Sequence, residues 1–135
     1  MSPETITKEK IIMMATIKTA EYLVIANKHF GKEFDFPTID FSLRGSCSGS
    51  MQTTGREFKN PYMKLNKAYF VENWDDMINK TIPHEIAHYV ADKMFKTRCH
   101  HDWRWKSIMV NVFKLSPERC HNYDTPSKDC QKQVK

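Results

Sequence analysis

With 135 residues, 40% of them hydrophobic, the chain suits one domain around a single modest core and is too short for two full ones. A 27% charged fraction with only 4 Gly and 6 Pro argues against wholesale disorder, and no apolar run approaches the length needed to span a bilayer. The net charge of +5 is uneven: 11 Lys/Arg face 12 Asp/Glu over residues 1–92, whereas 10 face 4 over residues 93–135, an excess that fits either a polyanionic partner such as nucleic acid or a solubilising cationic surface.

Residues 3–30 are expected to form one long helix, with Ser2 as a cap, Pro3 and Glu4 in the first turn and Gly31 as the stop. Ile6, Met13, Ile17, Ala20, Val24 and Phe30 recur at roughly helical spacing, and Ile11, Ile12, Met14, Leu23 and Ile25 widen the stripe, so burial on more than one side is expected. Lys8, Lys10 and Lys18 interrupt the early apolar residues, which speaks against a secretory leader, and four cysteines without tight spacing fit a reducing cytoplasm. From Thr38 the period changes to two: Ile39, Phe41 and Leu43 alternate with Asp40, Ser42 and Arg44, as in a half-buried strand. The turn chemistry of Gly45–Ser50 leads to a second strand, Met51–Phe58, and Asn60-Pro61 turns into a third, Tyr62–Leu65. A small three-stranded antiparallel sheet is the economical reading. Residues 74–95 read as helix, with Pro83 either kinking the run or opening a new helix, and a further helix covers about 102–115. The expected organisation is one domain over residues 1–124 followed by a flexible basic tail, 125–135.

The chemistry concentrates in Thr81-Ile-Pro-His84-Glu85-Ile-Ala-His88. Histidines four apart on a helix share a face, where two imidazole nitrogens can bind one Zn²⁺ at about 2.0–2.1 Å. Glu85 beside them can act as a base toward water without itself being a ligand. The alternative is a helix that simply carries two histidines, but Ile86, Ala87, Tyr89 and Val90 make this helix a buried one, and buried imidazoles need partners. A third ligand is required, and His100, His101, His121 and Glu118 are the candidates. Metzincin spacing fails, because Ala91 and Met94 stand where Gly and His would fall. His101 shares a stripe with Trp105, Met109 and Phe113 on the following helix, so it points inward and geometry favours it over His100. A structural zinc knot of Cys99, Cys120 and Cys130 is the rival, weakened by the absence of C-x-x-C pairs. Cys47, in its Ser/Gly turn, reads as a small turn residue.

These residues together resemble the SprT family, which takes in bacterial SprT proteins and the protease domain of Spartan. Arg44-Gly45-Ser-Cys-Ser-Gly49 is similar to that family's R-G-x-x-A-G turn, and Lys64-Leu65-Asn66 to its [RK]-L-N strand end. Ile82-Pro83-His84-Glu85-Ile-Ala-His88 resembles V-P-H-E-[LI]-A-H, His101-Asp102-Trp-Arg-Trp105-Lys106 resembles H-G-x-x-[WF]-K, and Cys120-His121-Asn-Tyr123 resembles T-H-x-[FY]. The resemblance covers about residues 38–124. It implies an α+β, minigluzincin-like zinc metallopeptidase with His84, His88 and His101 as ligands of one Zn²⁺ and Glu85 as general base. It also draws in His121 and Tyr123, as oxyanion donors or as supporting residues. Asp102 stands where the family usually has Gly and adds a carboxylate that could accept from an imidazole N–H. The C-x-x-C pairs of the family's zinc ribbon do not occur here, so contact with DNA is expected from the domain's own basic surface: Lys93, Lys96, Arg98, Arg104, Lys106 and Arg119, with Trp103 to stack on a base. The expected substrate is a protein on or crosslinked to DNA; the alternatives are a non-catalytic zinc-stabilised DNA-binding module and a peptidase without a nucleic-acid role.

Overall fold

The computed structural model describes residues 7–117. Helix α1 (Lys8–Phe30) begins later than its composition suggests: Thr7 has extended backbone and its hydroxyl accepts from the Lys10 N–H, capping the helix there. Pro3, Glu4 and the Ser2 cap lie outside the described residues. Gly31 ends the helix in the left-handed conformation, as expected. The buried face is Ile11, Ala15, Thr19, Leu23 and Ala26, whereas Met13, Ile17 and Val24 are exposed. The expected two-sided burial is therefore corrected to a single narrow stripe. Small residues set it: Ala15 and Ala26 are fully buried and let α1 approach the helix beneath it.

Three strands follow, β1 (Thr38–Asp40), β2 (Gly49–Thr54) and β3 (Lys59–Leu65), in the order β1-β3-β2. β2 and β3 form the expected antiparallel hairpin, but β1 runs parallel to β3, so the sheet is mixed and not the antiparallel meander expected from the alternation. The reason is the loop between β1 and β2. Asp40 and Ser50 both pair with Lys64, so the chain leaves one edge of β3 and enters on the other by crossing beyond its end. Asn66 holds this crossing. Its side chain donates to the Gly45 and Cys47 carbonyls at 3.1 and 3.0 Å and accepts from the Ala68 N–H, capping the short helix α2 (Lys67–Glu72). Pro61, which cannot donate to a ladder, sits where the β2–β3 register shifts between Gln52 and Thr54.

The helix expected over residues 74–95 is continuous but not uniform. A short α3 (Trp74–Asp76) passes through a π-helical turn, Met77–Thr81, into α4 (Ile82–Phe95). The wider turn accommodates Pro83, whose missing N–H falls in the first turn of α4, so the proline opens a helix without breaking the run. α4 is the centre of the molecule: Ile82 through Asp92 are all buried, between the sheet on one side and α1 on the other. The chain then reverses into α5 (Trp103–Ser107), which continues as a second π turn to Val112 and packs on α4, burying Trp105, Ile108, Met109 and Val112, while Phe113 is buried against Tyr22 of α1. No described helix is long and apolar enough to cross a membrane.

Replacing Asn66 with Ala strips two carbonyls and a helix start of their partner. We expect a loss of about 2–4 kcal/mol in urea unfolding, larger than for the exposed control Lys67→Ala.

Candidate metal centre

About 100° of rotation per residue returns His88 to the face of His84, and because α4 is central that face is sealed: the two histidines are only 4% and 3% exposed. The third imidazole arrives through a tight reversal. Lys96 ends α4 in the left-handed region, with its N–H on the Asp92 carbonyl, and His100 adopts a second left-handed conformation. Between them the Asp92 carboxylate accepts from the Cys99 N–H at 2.8 Å, tying the loop to the helix one turn beyond His88. His101 then stands just before Asp102, the cap of α5.

The outcome is a near-equilateral triangle of Nε2 atoms: 3.2 Å between His84 and His88, 3.1 Å between His88 and His101, and 3.1 Å between His84 and His101. A neutral imidazole has one N–H, so at most two of these contacts can be hydrogen bonds; two rings donating to the third leave two donors facing each other. A cation that takes all three lone pairs removes the conflict. Zinc ligands at 2.0–2.1 Å in a tetrahedron stand about 3.3 Å apart, so the observed spacing fits that ion closely. These three histidines could hold a metal ion. His88 is prepared for it: burial, then the neighbouring His101 and His100, hold its pKa well below 6.5, while a hydrogen bond to the His100 backbone pulls weakly the other way. It is therefore neutral at pH 7, with a lone pair to offer.

Trp105 supports the whole cluster. It is fully buried, its Nε1–H donates to the His84 carbonyl at 3.2 Å, and its ring lies 4.8, 5.5 and 4.8 Å from those of His84, His88 and His101. Glu85, 1% exposed, has Oε2 3.9 Å from His84 Nε2. Gly49, at the start of β2, explains how a strand comes so close: a Cβ there would lie 2.8 Å from Thr81 Cγ2 and 3.3 Å from Glu85 Cγ.

Other expected site residues fall elsewhere. The Asp102 carboxylate caps α5 through the Arg104 N–H at 2.9 Å and pairs with the Arg104 guanidinium, which holds its pKa below the usual carboxylate range. Arg104 also lies over the rings of Phe95 and Trp103, and Trp103 and Lys106 are exposed on α5. Arg98 lies over Phe58 and reaches Asp92 at 3.9 Å, and Lys93 donates to the Glu57 carbonyl at 3.1 Å. Cys99 is buried, its thiol pushed up to about 12 chiefly by that burial and donating to the Thr97 carbonyl. Cys120, Cys130, Glu118, Arg119, His121 and Tyr123 lie outside the described residues. The expectations missed Asp92, and they held Gly49 only as the end of a family-like turn, not as the point where β2 comes close to Glu85. Asp92 has no motif signal, whereas a Gly entering a strand could have marked a close approach.

Asp92→Ala should free the loop that carries His101, lowering zinc affinity by about 10–100-fold in a chelator competition, with Asp92→Asn milder because its amide oxygen still accepts from Cys99. The pH dependence has a definite sign. Unfolded histidine takes a proton near 6.5 while buried His88 resists it, so below that pH the unfolded chain binds more protons and stability falls. Metal-free protein should therefore lose melting temperature between pH 7.5 and 5.5, with a shallower loss in His88→Gln.

The SprT-like family model matches residues 19–121. The SprT protein of Vibrio atlanticus is 36% identical over 110 residues, covering 82% of this chain and 63% of that one. That of Pasteurella multocida is 32% identical over 110 residues, 82% of this chain and 64% of its own, and that of Pseudomonas putida 35% over 100 residues, 73% and 58%. The chain thus spans about three-fifths of the length of these relatives, and no solved structure matches it. The chain belongs to the SprT-like family.

Proposed function

We propose that the chain is a zinc-dependent endopeptidase that hydrolyses peptide bonds in proteins bound or crosslinked to DNA. One observation carries the catalytic part: three imidazoles from two elements meet at 3.1–3.2 Å with a buried carboxylate beside them. His84, His88 and His101 would hold the zinc, which when bound acidifies water and polarises a peptide carbonyl. Glu85 would take the proton of the attacking water at Oε2 and return it to the departing amine. Its burial beneath Gly49 keeps it beside the cluster, 3.9 Å from His84 Nε2. Trp105 keeps the three rings from turning, and the Trp105 N–H on the His84 carbonyl fixes α5 against α4. β2 starts over Glu85, so an extended peptide lying along that strand would bring its backbone to the cluster. A zinc held by these three ligands alone would keep a coordination position for substrate, as an enzyme requires and a closed structural site does not. The nucleic-acid part rests on the basic excess of residues 93–135.

Glu85→Gln keeps the volume and removes the base. It should bind zinc in a one-to-one ratio yet cleave a DNA-bound protein at least about 10²-fold more slowly than the parent. Undiminished cleavage would overturn the assigned role.

A further inference from the structure

A cavity of about 490 Å³ opens between the turn after α1, the tip of the β2–β3 hairpin and the last turn of α4, and none of the three histidines lines it. Its rim is cationic: Lys32 comes from the first element, Arg56 from the second, and Lys93 and Lys96 from the third. Lys93 donates to the Glu57 carbonyl at 3.1 Å, tying the helix to the hairpin tip, while Lys32, Arg56 and Lys96 are exposed. The floor is apolar, formed by Phe34, Phe58 and Met94. Two lining positions are held at a conformational cost: Phe58 and Lys96 have left-handed backbone, φ 54° and 59°, where Gly or Asn is the easier residue. Side chains retained there, one on the floor and one on the rim, mark a surface built for contact.

The lining also selects among anions. Phe34 and Phe58 are only 7% and 6% exposed; the Arg98 guanidinium lies over the Phe58 ring at 5.5 Å, and Phe34 meets Phe30 and Tyr89 edge-on. So little of either ring reaches the surface that a base cannot stack on it, whereas one apolar side chain can rest on the floor. Glu33 and Glu57 stand on the wall, the latter 3.3 Å from Lys59. They repel a phosphate backbone, which has no donor to offer them, but can accept from peptide N–H groups. A peptide with carboxylates on either side of one large apolar residue answers rim, wall and floor together.

We propose that this cavity is a docking site for an acidic segment, with one apolar anchor, of the protein that the enzyme cleaves. The proposal rests on the endopeptidase reading. β2 is an edge strand of the sheet and runs from Gly49, against Glu85, to Thr54, two residues before Arg56. That is a rise of about 17 Å, or about five residues of extended chain. A substrate lying along β2 thus carries its docking segment about six residues from the bond at the histidine cluster.

The test uses the full zinc-loaded chain and a labelled peptide of Asp and Glu around one central Phe, followed by fluorescence anisotropy. Lys32→Glu/Arg56→Glu reverses two exposed rim cations, and Lys8→Glu/Lys67→Glu makes the same change in net charge elsewhere on the surface. The cavity variant should bind at least about tenfold more weakly, with the control within about twofold of the parent. Replacing the Phe of the peptide by Ala should weaken its binding to the parent at least about fivefold. Two longer substrates then carry the segment on the N-terminal or the C-terminal side of the cleavable stretch. One of them should show a KM about tenfold lower than a segment-free substrate at unchanged kcat, a gain that the cavity variant loses. The segment-free substrate should be hydrolysed equally by parent and cavity variant. The proposal is overturned if the parent does not bind the peptide, if both double variants lose binding equally, or if the peptide without Phe binds as well. It is also overturned if a single-stranded oligonucleotide displaces the labelled peptide at lower concentration than the unlabelled peptide does, or if the segment-free substrate is cleaved as well as both others. Binding through the cavity with no substrate hydrolysed at all sinks the endopeptidase and leaves an acidic-peptide site standing.

Discussion

Three imidazole nitrogens 3.1–3.2 Å apart inside a protein cannot all be satisfied by hydrogen bonds to one another, whereas one cation can take all three lone pairs. Protonating one ring would supply a charge, but burial opposes it, as the depressed pKa of His88 shows. The surrounding fold therefore brings the three rings to the spacing that one cation requires. α4 is buried along eleven consecutive residues, which fixes two of the rings; Trp105 packs on all three.

The third ring depends on subtler means. It lies outside any helix, and two left-handed residues and the Asp92 carboxylate define the loop that delivers it. Burial raises the pKa of Asp92 even as the Cys99 N–H and Arg98 favour its charged form. The same logic of backbone approach appears at Gly49, where a missing side chain lets β2 rest on Thr81 and Glu85. The sheet's crossing loop, tied by Asn66, sets where that glycine falls. The histidine cluster, the Glu85 carboxylate and the strand edge are thus positioned by elements that each touch α4 or the loop after it.

Part of the site was legible because helix geometry is periodic: a four-residue spacing with a buried apolar background put His84 and His88 on one face of α4. The stripe through Trp105 and Met109 points to His101, but the loop before α5, not a helix, delivers that ring. What could not be read depends on through-space partners. Alternation in residues 38–44 shows a strand but not its neighbour, and a parallel pairing arises only from the crossing loop. The hydrophobic positions of α1 outnumber those one face can bury, so periodicity alone could not select Ile11, Ala15, Leu23 and Ala26 over Met13, Ile17 and Val24. Asp102 had the chemistry to support an imidazole, but a carboxylate at a helix cap two residues before an arginine pairs locally.

X-ray absorption at the zinc edge of protein purified with its metal addresses the cluster most directly. The account predicts one zinc per chain with three imidazole nitrogens near 2.0 Å, one further light-atom ligand, and no sulfur. A sulfur shell near 2.3 Å, four imidazoles, or no bound zinc at all would contradict it.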